Sequence, residues 1–389
     1  MSTPARPRLV TPVFMLVTLA NFAYFLSVGA LIPTLPLYVE SQLGGGDVAV
    51  GLAIGMFSVS AVFLRPVTGN LSDRKGRRML IILGAALVAG SVAAYALVSS
   101  LIPLLLLRLV SGAGEAFFYV GVASAINDIS PDERRGEALS FFSLALYAGL
   151  ALGPLLGETV LGDGRFTLTW LVAAGIAASA MILGLKIPDT RPAGLETSAH
   201  KAKLINRAAI MPGTVLAASI WGLAGFTAFV PLYALTLGLS GSRVVFAIYS
   251  GIVLLIRSVG ARLPDKLGVR KTARSALLFS AIGLFVIAGF GTTIGLYIGT
   301  AIFAVGQALA FPTLMALAVS SAPPAERGSV VGTFTAFFDL AFGLGAVSLG
   351  VISASLGYRG GFAAAACVAL GGLGLLFFYA RRSVVATEH

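Results

Sequence analysis

The sequence has few of the side chains that carry most enzymatic and metal chemistry. Its 389 residues include one cysteine, Cys367, and two histidines, His200 and His389. One cysteine excludes an intrachain disulfide, and two histidines in a polar stretch and at the last position predict no metal cluster. The letters SAHK at 198–201 fit S-x-x-K only inside a charged stretch, and we find no nucleophile–base pair or phosphate-binding loop. We therefore expect no catalytic residue, no metal, no cofactor and no enzyme.

Charge is also scarce, and apolar surface is abundant. Charged residues make up 11% of the chain and hydrophobic residues 57%, with a mean hydropathy of +0.95. A globular domain of this length buries far less apolar surface, so the sequence predicts a protein embedded in lipid. Each apolar segment is long enough to cross a hydrocarbon core of ~30 Å as a helix. The predicted spans are 12–39, 50–70, 79–98, 101–126, 137–160, 166–186, 212–237, 243–263, 273–290, 292–320, 328–355 and 358–380.

Helices are the expected structure because lipid offers no partners for backbone N–H and C=O groups, and the runs are too long for barrel strands. The first run is too long for a signal peptide and is expected to remain as a span. The net charge of +11 follows from topology and does not indicate nucleic acid, because most cations fall at the termini and in the even-to-odd loops. This distribution predicts a multi-pass protein of the cell (inner) membrane with both termini cytoplasmic.

An internal repeat divides the chain into two halves. A shift of 192 residues lays Arg65 on Arg257, Gly76 on Gly268, and Arg135 on Arg327. The polar stretch at 187–211 separates six spans from six. We therefore predict a six-helix bundle at 1–186, a cytoplasmic linker at 187–211 and a second bundle at 212–389. Such a pair of bundles holds a site at its interface and exposes it to alternate sides of the membrane.

The loop between spans two and three reads GNLSDRKGRR and is the most informative motif. It resembles the G-x-L-[A/S]-D-[R/K]-x-G-[R/K]-[R/K] loop of the major facilitator superfamily, and the resemblance extends over essentially the whole chain. The matching residues are Gly69, Leu71, Ser72, Asp73, Arg74, Gly76, Arg77 and Arg78. A weaker copy at 261–271 keeps Asp265 and Gly268. The resemblance implies an all-α membrane protein with twelve transmembrane helices in two pseudo-symmetric six-helix bundles, the major facilitator fold.

In that family the motif forms a conformational latch. The resemblance implies that Asp73 meets the start of span eleven and that a motif arginine meets Asp128 at the end of span four. We expect Gly69 to allow close helix approach and Gly76 to allow a tight turn. The alternative is a basic loop that only anchors topology. For Arg65 and Arg257, four residues before each copy, we favour contact with cytoplasmic headgroups over a switch role.

Three ionisable residues inside predicted spans are candidates for proton coupling. Arg108 opens RLVSGAG, which resembles the R-x-x-x-G-x-G pattern linked to proton transfer in the superfamily. Glu115 lies two turns further along span four, and Asp339 lies ~16 Å from the cytoplasmic end of span eleven. Ionisable groups at such depth usually face a cavity and have a function. The alternatives are a permanent ion pair with Arg108 or a neutral hydrogen-bonded acid. Glu158 lies nearer the outer surface, and for it a role at an interface is expected as much as a role in proton coupling.

Span five contains YAGLALGPLLGE, in which Gly149, Gly153, Pro154 and Gly157 resemble the G-x-x-x-G-P-x-x-G motif of drug:proton antiporters. Ser140 and Glu158 depart from the glycines of that motif, and a simple packing face is the alternative. Pro33 and Pro36 in span one resemble the P-x-x-P of the twelve-helix drug:proton antiporter family. Together these motifs favour export.

We therefore expect a proton-coupled exporter that moves small amphipathic compounds by alternating access. The alternatives are a proton-coupled symporter or a lipid or metabolite transporter of the same fold, and a passive channel. The expected partners are membrane lipid, a small-molecule substrate and protons, with the protein a monomer. Aromatic residues beside acids suit a lipophilic compound, which can be cationic. The predicted cavity residues are Asn21, Tyr24, Glu115, Tyr119, Trp221, Phe226, Phe229, Tyr233, Gln307 and Phe311.

Overall fold

A computed structural model describes residues 9–191, 205–259, 267–320, 322–323 and 326–385. The structure is 89% helical, and the described residues contain no strand. The predicted all-α fold is confirmed. The side chains of Asp73 and Arg327 and all of Asp265 lie outside the described part of the chain.

The first half of the chain forms six long helices. They are α1 Pro12–Ser41, α2 Asp47–Lys75, α3 Arg77–Ala94, α4 Leu101–Ile129, α5 Arg135–Leu161 and α6 Phe166–Lys186. The start of α1 is fixed by Thr11, whose hydroxyl accepts a hydrogen bond from the Phe14 amide at 3.2 Å, and by Pro12 in the first turn. Helix α1 packs on α5 and α6, and α4 packs on α2 and α3, which closes the first bundle.

The second half repeats this arrangement. Its helices are α7 Arg207–Thr236, α8 Arg243–Val259, α9 Val269–Gly289 and α10 Thr293–Ser320, followed by the segment Arg327–Val385. Gly357 interrupts that segment with a φ of 70°. We call the helix before Gly357 α11 and the helix after it α12, which brings the number of long helices in the described chain to twelve.

Ten segments of the described chain are long and apolar enough to cross a membrane. The last of these, 329–378, contains both α11 and α12. Helix α8 is not among the ten, because only 17 of its residues are described, ending at Val259. The lengths and apolar character of the helices make this a multi-pass membrane protein.

The turns that join α2 to α3 and α8 to α9 have equivalent backbones. Gly76 has a φ of 92° and Gly268 a φ of 86°, a region that favours glycine. Both positions were related by the repeat, and the turn expected at Gly76 is confirmed. We call the end of the bundles that carries Gly76, Asp128 and Arg207 the basic face, and the end that carries Arg165 and Ser242 the opposite face.

Both ends of the linker predicted at 187–211 belong to the neighbouring bundles in the structure. Residues 187–191 pack on the first bundle, where the Arg77 amide donates to Asp189 Oδ1 at 3.0 Å. Helix α7 begins at Arg207, before the predicted start at 212, because Asn206 caps it by accepting from the Ala208 amide at 3.0 Å. The apolar pattern predicts a later start because Arg207 is charged and directly follows a polar stretch, so hydropathy groups it with the linker.

The two bundles meet along α2 with α11 and α5 with α8. The first of these contacts is close because it is lined by glycine. A Cβ on Gly55 would lie 2.8 Å from the Gly343 carbonyl oxygen, and one on Gly350 would lie 2.7 Å from the Asp47 carbonyl oxygen. Small residues let backbones approach in lipid, where apolar side chains give no net drive for association.

Candidate functional site

A cavity of about 320 Å³ lies between the two bundles. Its wall is formed by α1, α2, α4 and α5 on one side and by α7, α8, α10 and α11 on the other. Apolar side chains such as Phe57, Leu223 and Phe342 make up most of the wall. Five charged residues also line it, which is unusual for a space enclosed by membrane-spanning helices. They are Arg65, Arg108, Glu115, Arg257 and Asp339.

Arg65 connects an acid of each bundle. Its Nε lies 2.5 Å from Asp339 Oδ2, and its Nη2 donates to Asp339 Oδ1 at 3.1 Å. The same Nη2 lies 3.3 Å from both carboxylate oxygens of Glu115. Glu115 belongs to the first bundle, as does Arg65, whereas Asp339 belongs to the second. The expectation that Arg65 extends to headgroups is therefore wrong, because two carboxylates at the cavity hold its guanidinium.

The three charges are largely withdrawn from water. Side-chain exposure is 16% for Arg65, 10% for Glu115 and 8% for Asp339. The guanidinium also lies 5.1 Å from the ring centre of Tyr119. Charges buried to this extent are tolerated only when paired, and here one cation faces two anions. With both acids ionised, the group therefore has one more negative than positive charge.

Arg108 lines the same cavity but belongs to no such pair. Its Nε donates to the Ala53 carbonyl oxygen at 2.7 Å, and its guanidinium lies 4.7 Å from the ring centre of Phe57. Within the described chain no carboxylate lies within ion-pair distance of it. The alternative of an ion pair between Arg108 and Glu115 or Asp339 is wrong, because Arg65 takes that place.

The cavity contains three of the nine further residues predicted to line it. Tyr119, Gln307 and Phe311 are on its wall. Gln307 Nε2 donates to Ser219 Oγ at 3.1 Å and to Ser280 Oγ at 3.2 Å, which fixes the amide against α7 and α9. Phe311 makes an edge contact with Phe334.

The other six predicted cavity residues pack away from it, which corrects that part of the prediction. Each of the six instead makes an aromatic or polar contact with a neighbouring helix of its own bundle, and helix periodicity does not reveal such contacts. Tyr24 stacks on Phe118, Asn21 donates to the Phe142 carbonyl oxygen and Trp221 donates to Ser348. Phe226 packs on Phe303, and Phe229 and Tyr233 both pack on Tyr358.

The loop motif forms a network on the basic face. Arg77 Nε donates to Asp128 Oδ2 at 2.9 Å, as the resemblance implied for a motif arginine. Arg77 Nη1 reaches Ser72, and Thr190 donates to the same Asp128 oxygen at 3.3 Å. Arg77 is 5% exposed, so this ion pair is mostly buried.

The other motif residues play lesser parts in that network. The Arg74 carbonyl oxygen accepts from Arg191, and Arg78 donates to the Leu185 carbonyl oxygen. Close helix approach at Gly69 is not seen, since no described heavy atom lies within 4 Å of a Cβ placed there. A glycine in the sequence does not by itself give the distance between its backbone and the neighbouring helices.

The glycines of α5 form the contact with α1. A Cβ on Gly149 would lie 2.7 Å from the Leu26 amide nitrogen, and one on Gly153 would lie 2.5 Å from Gly29 Cα. A Cβ on Gly157 would meet the Ala30 carbonyl oxygen. Pro154, between them, lines the cavity. The strip therefore packs α1 against α5 at the cavity wall.

Glu158 lies at the contact between the bundles on the opposite face. Its Oε1 accepts from the Ser242 amide at 2.9 Å and from the Ser242 hydroxyl, and its carbonyl oxygen is 3.4 Å from Arg243 Nη2. Burial raises the cost of the charge, and the two Ser242 bonds offset it. The structure thus agrees with the alternative of a role at an interface.

Sequence reasoning missed the part played by Arg65. The signal was available, because Arg65 is a charge inside a predicted span and recurs in the repeat as Arg257. The pairing of Arg65 with Asp339 was not predictable because the two residues are far apart in sequence. The contribution of Asp189 and Thr190 to the Asp128 network had no motif to indicate it.

A cavity between two matched six-helix bundles of a membrane protein is the architecture of a membrane transporter. The comparisons with known proteins agree. The chain belongs to the Major Facilitator Superfamily, whose profile matches residues 17–293 and 244–388. The family and the relatives found are transporters and not enzymes.

Similar sequences are found in several bacteria. An uncharacterised MFS-type transporter of Salmonella typhimurium is 28% identical over 368 residues, covering 91% of this chain and 93% of that protein. The staphylopine export protein of Staphylococcus aureus is 26% identical over 340 residues, covering 82% of this chain and 84% of that protein.

Solved structures show the same fold. A bacterial homologue of the human lysosomal transporter Spinster, in an inward-facing and unoccupied conformation, gives a TM-score of 0.81 at 14% identity, covering 95% of this chain and 96% of that one. A POT family transporter in complex with 5-aminolevulinic acid gives a TM-score of 0.80 at 16% identity, with the same coverage of both chains. These likenesses establish the fold.

Proposed function

We propose that the protein is a proton-coupled exporter of small amphipathic compounds that works by alternating access. The observation that carries the proposal is the contact of Arg65 with Glu115 of the first bundle and Asp339 of the second. One cation between two buried acids can exchange a proton for an ion pair. Because one of the two pairs crosses the interface, that exchange changes how the bundles are held together.

The cycle follows from the charges. When Asp339 binds a proton, its attraction to Arg65 weakens and the guanidinium remains with Glu115. The bundles then lose an ion pair at the cavity and are free to separate there. When the proton leaves, the pair reforms. Tyr119 faces the same guanidinium and Arg108 lines the same cavity, so both contribute to the field that the two carboxyl groups experience.

Export is supported by two observations. The glycines of α5 pack on α1 at the cavity wall, where the sequence resembles the motif of drug:proton antiporters. One relative of comparable length is an export protein. The apolar wall with a few polar groups suits an amphipathic compound. In this proposal the basic face is cytoplasmic, both termini lie there, and the protein is a monomer in the lipid of the cell membrane.

The test uses everted membrane vesicles with an acidic lumen. Two fluorescent amphipathic compounds, rhodamine 6G as a cation and 8-anilinonaphthalene-1-sulfonate as an anion, are added outside. An antiporter accumulates at least one of them and releases lumenal protons, and nigericin abolishes both effects. Vesicles without the protein serve as the blank. Accumulation that follows a proton gradient into the vesicle, in the same direction as the compound, would establish a symporter instead.

Latch residues are part of the same proposal. The buried Arg77–Asp128 pair ties α3 to α4 within the first bundle, next to the residues that meet the linker. We propose that this pair keeps the α2–α3 turn in a fixed position, from which Asp73 acts on the opposing bundle, and that the weaker copy with Asp265 and Gly268 has the corresponding role in the second bundle.

A further inference from the structure

The cavity carries a second arginine site that is related to the first by the internal repeat. Arg257 of α8 is the counterpart of Arg65 of α2 at the shift of 192 residues. The structure supports this register, because α5 and α11 begin at the counterparts Arg135 and Arg327. Arg65 and Arg257 both line the cavity, one from each bundle.

The counterparts of the two acids are neutral. Position 307, the counterpart of Glu115, is Gln307, and position 147, the counterpart of Asp339, is Tyr147. Both residues line the cavity. Arg257 accordingly lies over Tyr147, with its guanidinium carbon 3.4 Å from the ring centre. The contact that Arg65 makes across the interface with Asp339 is therefore repeated at the counterpart positions, with a tyrosine ring in place of the carboxylate.

The consequence is a cation at the cavity with no carboxylate partner among the described residues. Arg257 Nε is buried and has no hydrogen-bond partner among the described residues. Of the five charged residues on the wall, three are cations and two are acids, and Arg65 contacts both acids. Arg257 as a whole is half-buried. A partly buried cation with no described counter-ion carries a cost in free energy, and an anion placed beside it lowers that cost.

We propose that Arg257 binds a carboxylate or phosphate group of the transported compound, so that the substrate is an amphipathic anion. The anionic group takes the place beside Arg257 that the carboxylates of Glu115 and Asp339 take beside Arg65. The planar guanidinium suits bidentate contact with either group, and the Tyr147 ring on its other side holds it in place. Arg108, also without a carboxylate partner in the described chain, adds a second cation to the same wall.

A cationic substrate is less compatible with this wall. Both acids of the wall contact Arg65, whereas Arg257 and Arg108 contact no carboxylate among the described residues, and the three cations outnumber the two acids. This inference rests on the proposed function in assuming that a transported compound enters this cavity, and it deepens that function by giving the charge of the compound.

The test is a binding series on the purified full-length protein in a neutral detergent, with no proton gradient. The probes share one skeleton: 4-phenylbutyrate, 4-phenylbutyl phosphate, 4-phenylbutylamine and 4-phenylbutanol. We expect the carboxylate, the phosphate or both to raise Tm in a saturable manner, and the amine and alcohol to have a smaller effect. The two anions show which group the site takes. Equal or greater stabilisation by the amine, or none by either anion up to its solubility limit, overturns the proposal.

Substitutions at Arg257 and at Tyr147 test whether the anion binds beside Arg257. Arg257→Gln should bind the anion at least about tenfold more weakly, the loss of roughly one charge-assisted hydrogen bond. Arg165→Gln, an exposed arginine of the opposite face, is the matched control and should bind normally. Unchanged anion binding by Arg257→Gln refutes the assignment.

Tyr147→Asp keeps Arg257 and tests the same point should Arg257→Gln fail to fold. It supplies an internal carboxylate at the counterpart of Asp339, so the protein should fold and yet lose anion binding. Anion binding as tight as that of the unchanged protein overturns the proposal. Binding is measured without a proton gradient, so its result is separate from that of the transport experiment. If the anion binds in an Arg257-dependent manner but the protein exchanges no protons, the proposed antiport function is refuted and the anion site is still supported.

Discussion

Arg65 of α2 and Asp339 of α11 form an ion pair across the interface between the two bundles, with Nε and Oδ2 2.5 Å apart. Glu115 of α4 shares the same guanidinium from within the first bundle. The interface therefore contains a bond that depends on the charge of a carboxyl group, next to a cavity large enough for a small compound.

Asp339→Asn should abolish gradient-driven transport while leaving the protein folded. An amide at this position cannot load and release a proton, and Arg65 still has Glu115 as a counter-ion. Compound accumulation in everted vesicles with an acidic lumen is the measurement. Asp163→Asn, an exposed acid beyond the end of α5, is the control and should transport normally. Normal pumping by Asp339→Asn would exclude Asp339 as the proton carrier.

Arg65→Gln should destabilise the protein, and more so as pH rises. Without the guanidinium, Glu115 and Asp339 are two buried acids with no counter-ion among the contacts described, and breaking a buried pair costs about 3–5 kcal/mol. Protonation relieves that cost, so the loss is smaller at low pH and larger where the carboxyl groups are charged. Tm measured from acid to alkaline pH gives the result.

The triple variant Arg65→Gln, Glu115→Gln and Asp339→Asn is the matched control for that experiment. It removes all three charges together, so its Tm should recover most of the loss and should depend less on pH. A single variant whose Tm equals that of the unchanged protein at every pH would show that the pairing contributes nothing.

The Arg77–Asp128 pair should contribute more to stability than a surface pair. Its side chains are 6% and 14% exposed, whereas those of the Arg134–Glu137 pair are 29% and 47% exposed. A double-mutant cycle with Arg77→Gln and Asp128→Asn should give a coupling energy above about 1 kcal/mol, and the same cycle at Arg134 and Glu137 about 0–1 kcal/mol. Equal coupling in the two cycles would contradict this reading of the motif.

Gly153→Ala should disrupt the packing of α1 against α5. The added methyl group would lie 2.5 Å from Gly29 Cα, a contact that only backbone movement can relieve. We expect a destabilisation of about 1–3 kcal/mol and loss of transport. Gly175→Ala in α6 has open space around its Cβ and is the control, with unchanged or slightly raised Tm. Wild-type stability of Gly153→Ala would show that the helices are not in tight contact.

Much of the fold could be predicted because lipid imposes simple rules on a sequence. The apolar runs fixed the number of helices, and the repeat of polar loop residues divided them into two sets of six. The turn at Gly76 was predictable because glycine tolerates the positive φ that a tight turn requires, and Gly76 has a φ of 92°. The start of α7 at Arg207 was not, since Arg207 is charged and directly follows a polar stretch, so hydropathy groups it with the linker.

The candidate site was only partly predictable. Glu115 and Asp339 were identified because a buried acid in a span is costly and therefore informative. Tyr24 and Phe226 were misplaced because an aromatic residue has the same apolar character toward a neighbouring helix as toward a cavity. Hydropathy gives the depth of a residue in the membrane but not the direction in which it points.

The sequence by itself determined that the chain spans a membrane as two matched bundles, because apolar length and repeated polar loops are local properties. Only the tertiary structure decided that Arg65 meets Asp339 and that Arg257 faces Tyr147, because each contact joins helices of different bundles. The physical reason is that charges in a low-dielectric interior are stabilised by whichever partner packing brings within a few ångströms. Separation along the chain says nothing about that distance.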